Sequence, residues 1–134
     1  MKKFIAENLS LRERIIFSDA HSVLNKCKYI LIFVGTPIEN RRLSMKYVLA
    51  ALSSAFAGNP TATYLILSTL PIGGMETVHK IFPNMRVYYT PPMVRAEHFL
   101  ETFKKPNTGW QLIGFEGEPP IDVFTLYTKW LSPE

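Results

Sequence analysis

A chain of 134 residues with a net charge of +4 and 47% hydrophobic residues is sized for one domain, burying about two thirds of its unfolded surface in a single core. Its single cysteine, Cys27, excludes an internal disulfide and points to a reducing cytoplasm; the amino-terminal apolar run from Phe4 to Ala6 is far short of a signal-peptide core and no apolar run approaches the length of a membrane span, so a soluble protein is expected. The fifteen Lys and Arg, against eleven Asp and Glu, fall in short scattered pairs such as Arg41 with Arg42 and Lys104 with Lys105, which reads as solvated surface rather than a nucleic-acid footprint.

In chain order, residues 13–17 form a short strand candidate, and Ser18 or Asp19 offers an N-cap to a helix over 20–26. The next stretch, 28–37 (KYILIFVGTP), organises the rest of the chain: a continuous apolar run from Tyr29 to Val34 stops at Gly35, Thr36 and Pro37. Such a run suits a parallel strand covered on both faces, and in parallel sheets the functional loops lie at the carboxyl ends of the strands. Residues 38–42 are polar, and Ser44 can cap a helix with Val48, Leu49, Leu52 and Phe56 on one stripe, ending at Gly58.

A second apolar strand over 64–67 closes in the loop 68–74 (STLPIGG), followed by a helix over 75–82 that stops at Pro83. A third strand over 86–89 ends at Thr90, Pro91 and Pro92; 95–103 can be helical, and a fourth strand over 110–113 ends at Gly114. Pro119 and Pro120 suit the start of a last helix over 121–131, with Phe124, Tyr127, Trp130 and Leu131 on one face. This alternation predicts an α/β fold of three layers, with a mainly parallel sheet and right-handed crossovers, in one domain over 1–134.

Four of these loops together resemble the NAD domain of the UDP-glucose and GDP-mannose dehydrogenases. That domain typically shows an Asp opening a short helix, a strand ending VGTP, a strand ending STVPVG, an NPEFLREG-like loop, and a proline followed by RIVIG. Here Asp19 precedes Val34, Gly35, Thr36 and Pro37 at the family's spacing, and residues 47–51 resemble the helix that follows. Ser68, Thr69, Pro71 and Gly73 match the second loop; Pro91, Arg95 and Pro106 keep step with the third, and Leu112, Ile113 and Gly114 match the closing strand after a two-residue insertion. The resemblance covers about 15–114 and implies a partial Rossmann-like fold, with Val34, Gly35, Thr36, Pro37, Ser68 and Thr69 as a vestigial cofactor-binding set.

The same resemblance shows what to expect of the chemistry. No G-x-G-x-x-G occurs in the chain, and the residues before Ile15 are too few for the βαβ unit that carries this pyrophosphate-binding turn. The family's sugar-binding half, with its catalytic cysteine and lysine, would begin after Gly114, and Cys27 does not correspond to that nucleophile. The two family glutamates fall on Pro92 and Ala96, with Glu97 one position along, and the lysine that commonly precedes STVP is Leu67. No catalytic residue carries over, so a dehydrogenase reaction is not expected.

Simpler readings stand beside the sharper ones. By resemblance Thr36 and Thr69 would face the two ends of NAD; without a pyrophosphate site the simpler expectation is that they satisfy backbone groups at strand ends. His21, His79 and His98 lack metal-ligand spacing and read as helical surface, and Asp19 reads as a helix cap. The aromatic helix is either core or a docking face. In the family's 3-2-1-4-5-6 strand order the missing strands are the central pair, which leaves the strand from Tyr29 to Val34 with an open edge that invites association.

Two functions follow: a non-catalytic binding or assembly module with no cofactor, which meets a protein partner or a second copy through that edge or the C-terminal helix; or an NAD- or nucleotide-sugar-binding subunit completed by a second polypeptide.

Overall fold

The structure, a computed structural model, describes residues 18, 21–92 and 112–131. The strand expected over 13–17, the cap at Asp19, the helix over 95–103, His98 and Pro106 lie outside the described residues, as do the first two positions of the strand over 110–113.

The elements are a 3-10 helix (His21–Lys26), β1 (Tyr29–Ile32), β2 (Ile38–Glu39), β3 (Arg42–Leu43), α1 (Lys46–Gly58), β4 (Thr63–Ile66), α2 (Gly74–Ile81), β5 (Val87–Tyr89) and α3 (Ile121–Leu131). β1, β4 and β5 form a parallel sheet in the order β1-β4-β5, with Ile30 beside Tyr64 and Tyr64 beside Val87. The helices lie on both faces, so the α/β architecture with a parallel sheet holds.

Alternation along the strands divides the core in two. Ile30, Ile32, Tyr64, Ile66 and Val87 pack with Val48, Leu52 and Ala55 of α1 and Val78 of α2. Leu65 points the other way and packs with Val123 and Tyr127 of α3, flanked by Tyr29, Leu67 and Tyr88. Every residue of β4 is buried, because among the described strands it alone has a hydrogen-bonded strand on each side and helices over both faces. Within the described sheet β4, not the run from Tyr29, is therefore the central strand. β1 ends at Ile32, and on its α3 side Leu31 keeps 39% and Phe33 63% of its surface in solvent.

Three local expectations change in instructive ways. The polar stretch after the first loop is a hairpin, β2 against β3, whose two turn residues, Asn40 and Arg41, have φ of 51° and 62°; this is the backbone that a two-residue hairpin demands. Ser44 does not cap α1. Met45 occupies the N-cap without a side-chain bond, and the Ser44 hydroxyl is spent on Glu39 of the hairpin. On α3, Val123 and Tyr127 carry the burial while Phe124 stays exposed, edge-to-face with Phe115 at 6.2 Å. Neighbouring helix positions lie about 100° apart, so Val123 and Phe124 cannot both face the sheet.

The fourth strand is reduced, among the described residues, to a single bridge from Gly114 to Tyr89, and it is antiparallel. The Gly114 N–H reaches the Tyr89 carbonyl at 2.8 Å. The chain then returns through α3 in the direction of the strands: Asp122 meets Tyr29 at the start of β1 and Tyr127 meets Thr90 just past the end of β5. No helix among the described residues is long and apolar enough to cross a membrane.

Candidate functional site

The carboxyl ends of the three parallel strands open into loops 33–37, 67–73 and 90–92. Their geometry follows from where the sheet's own hydrogen bonding stops. The last main-chain bonds of the β1–β4 ladder converge on the Ile32 carbonyl, from the Leu67 N–H at 2.9 Å and the Ser68 N–H at 3.3 Å. Beyond it Ser68, 2% exposed, substitutes its side chain for a strand: its hydroxyl oxygen accepts the Val34 N–H at 2.8 Å and the hydroxyl donates to the Val34 carbonyl at 2.9 Å. Val34 and Ser68, both in the vestigial cofactor set, are brought together, but by each other.

The other members of that set are placed differently. A Cβ on Gly35 would meet nothing within 4 Å, so that glycine answers no packing need. Pro37 is half-buried and its carbonyl accepts the Ser44 N–H at 2.8 Å, which closes the base of the hairpin. Thr36 is half-buried and Thr69 exposed. Among the described residues no hydrogen bond joins these two hydroxyls.

The second loop leads into α2 through Gly73, whose φ of 76° suits only a residue without a Cβ, and Gly74, where a Cβ would stand 2.9 Å from that of Leu70 and 3.4 Å from the Met45 sulfur. Loop 67–73 thus leans directly on the start of α1. From β5, the Tyr89 hydroxyl accepts the Leu70 N–H at 3.3 Å, and the buried Thr90 hydroxyl accepts the Tyr127 O–H at 2.8 Å. Burial pushes the Tyr127 phenol above its ordinary pKa, and the Thr90 bond offsets part of that rise.

The ionisable groups at this end belong to the hairpin. Lys46 is ion-paired with Glu39; that bond, and then the Ser44 hydroxyl, hold the Glu39 carboxyl below the usual carboxylate range, and Glu39 in turn raises the Lys46 ammonium. The Lys46 nitrogen also sits 5.0 Å from the centre of the Tyr47 ring. Cys27 lies before β1, at the opposite end of the sheet, with its thiol directed to the Val23 carbonyl. No group of three His, Cys, Asp or Glu able to hold a metal occurs among the described residues.

Sequence reasoning missed two polar centres at the amino ends of the strands. Asn59, at 6% exposure, donates to the Leu24 and Cys27 carbonyls at 2.8 and 2.9 Å and accepts from both the N–H and the hydroxyl of Thr61. Its own carbonyl takes the Tyr64 O–H at 2.6 Å. The helix end at Gly58, just before Asn59, was legible; the carbonyls that Asn59 serves were not, because they lie more than thirty residues back. Asp122 receives Arg86 Nη2 at 2.5 Å and the Tyr29 hydroxyl at 3.2 Å, and the acidic first turn of α3 was the signal that could have marked it.

No model of a known protein family matches the chain, and no curated protein matches it. The likeness to the nucleotide-sugar dehydrogenases accordingly rests on the loop residues alone.

Proposed function

We propose that the chain is a degenerate relative of the NAD domain of the nucleotide-sugar dehydrogenases, working as a non-catalytic binding or assembly module through protein contacts. The observation that carries this reading is the character of the surface at the carboxyl ends of the strands. Phe33, Ile38 at 75% exposure and the fully exposed Ile72 stand out there into solvent. Large apolar side chains exposed at one end of a fold are the material of protein interfaces, whereas a dinucleotide needs donors aimed at its phosphates. The inward turn of Ser68 supports the same reading, since its hydroxyl is committed to Val34. The surfaces in question are the edge of the strand from Tyr29 to Val34, the loops beyond it, and α3; the compartment is a reducing cytoplasm, where Cys27 remains a thiol.

A second reading is favoured by a different observation: Thr36 and Thr69 carry hydroxyls at the same end, where α1 and α2 both begin without a side-chain cap. Helix amino ends with unspent N–H groups favour anions. On this reading the chain is a subunit that binds NAD or a nucleotide sugar once a second polypeptide supplies the missing turn.

Calorimetric titration with NAD and with UDP-glucose, of the chain alone and of the chain mixed with candidate partner polypeptides, separates the two. The module predicts no heat with either ligand in any of these mixtures; saturable heat that requires the chain would overturn it in favour of the subunit.

A further inference from the structure

Two exposed patches of opposite charge remain after the fold is accounted for, and the geometry points to their docking on each other in successive copies of this chain, an inference that rests on the protein-contact reading above. The first patch is the hairpin. Ile38 is exposed on β2, and Ile72 is exposed in loop 67–73 at the same end of the sheet. Arg41 at the turn and Arg42 on β3 are exposed, and neither guanidinium has an acidic partner among the described residues. The hairpin's one carboxylate, Glu39, is already engaged by Lys46 and Ser44, so it does not offset both arginines.

The second patch runs through the segment that leads into α3. Ile121 and Phe124 are three residues apart on α3 and both exposed, and Phe115 packs edge-to-face on Phe124. Between them, Glu116 and Glu118 are exposed without a cationic partner among the described residues. The third acid nearby, Asp122, is spent on Arg86. Each patch thus offers apolar side chains beside a pair of like charges, and the charges of one complement those of the other.

The two patches occupy different parts of the molecule. The first sits at the carboxyl ends of β1 and β4; the second follows Gly114 and runs back into the first turn of α3, where Asp122 meets Tyr29 and Arg86 at the amino ends of the strands. One copy cannot satisfy its own pair, and a contact between unlike patches repeats head to tail, closing into a ring or extending as a chain. Few side chains take part, so the contact belongs to the weak class, with association expected near about 0.1 mM.

Sedimentation velocity of the full chain across that concentration, at low and high salt, reads the contact. The sedimentation coefficient should rise with concentration at low salt and fall back as salt is added. The variant Arg41→Glu with Arg42→Glu, and separately Glu116→Arg with Glu118→Arg, should each weaken self-association about tenfold, because each sets like charges face to face. An equimolar mixture of the two variants should associate again, as should a single chain carrying all four changes. All four substituted positions are exposed, so the changes leave the core untouched, and unchanged circular dichroism confirms folding. A chain that stays monomeric at every concentration, or a mixture that fails to associate, overturns the contact while leaving a different protein partner open to the module; heat with NAD would instead overturn the module itself. Loss of binding to anionic vesicles or RNA by the arginine variant of a monomeric chain would assign the hairpin to that occupant and also overturn the contact.

Discussion

The Val34 N–H and the Ser68 hydroxyl are joined at 2.8 Å, and the same hydroxyl returns a bond to the Val34 carbonyl at 2.9 Å. A side chain thereby extends the pairing of β1 with β4 past the last main-chain bond of the ladder and ties the first loop to the second.

Replacing Ser68 with Ala removes that tie and leaves the Val34 N–H without its partner in a nearly closed site. The expected cost is about 1–3 kcal/mol of stability. Urea denaturation measures it, and hydrogen exchange at the Val34 amide should speed up more than exchange across β4; an unchanged Val34 rate would contradict the role given to Ser68.

At Asn59 the donors matter more than the acceptor. Asn59→Ala should cost about 2 kcal/mol. Asn59→Asp keeps the shape and the oxygen that serves Thr61 but sets a carboxylate against the Leu24 and Cys27 carbonyls, so at neutral pH it should cost more. Such a carboxylate has its folded pKa raised, hence the Asp variant should recover stability as pH falls through that value, and the Ala variant should not. Denaturation midpoints at pH 7 and pH 4 test this.

Asp122 titrates in the opposite sense. Burial raises its pKa, but the hydrogen bond and charge of Arg86, with the Tyr29 hydroxyl, outweigh that and hold it below the usual range. A carboxyl depressed in the folded state contributes stability that is complete above its unfolded pKa, about 3.9, and is lost as pH falls through the folded value. Asp122→Asn should therefore cost up to about 1 kcal/mol at neutral pH and flatten the loss of stability below about pH 4. Parallel acid titrations of the two proteins followed by circular dichroism check the difference.

Arg41 holds a left-handed backbone at φ 62° that glycine adopts without cost. Arg41→Gly should raise the thermal midpoint, by about 1 kcal/mol of strain relieved, whereas Gly73→Ala, at φ 76°, should lower it by a similar amount. Asn40 tolerates the same region more readily than Arg41, so Asn40→Gly should change little.

Much of the framework was written locally. The apolar run of β1, the run of β4 and the bounds of α3 follow from periodicity and from the prolines and glycines between them, because those signals act within a few residues. The hairpin escaped notice because Asn40 and Arg41 are not the Asn-Gly pair that announces such a turn. Ser44 was misassigned as a cap for a related reason: a hydroxyl can serve several acceptors nearby, and the folding back of Glu39 put a carboxylate within its reach.

By itself the sequence determined β1, β4 and β5, the three helices that cover them and the parallel α/β class, since each depends on the chain's local pattern of apolar and turn residues. Only the tertiary structure decided that β4 is central, that β1 keeps one side partly open, that Phe124 turns outward, and that Ser68 spends its hydroxyl on Val34. Those outcomes depend on which segments, thirty or more residues apart, come to lie side by side, and a hydrogen bond or a buried face goes to whichever partner the packing brings within reach.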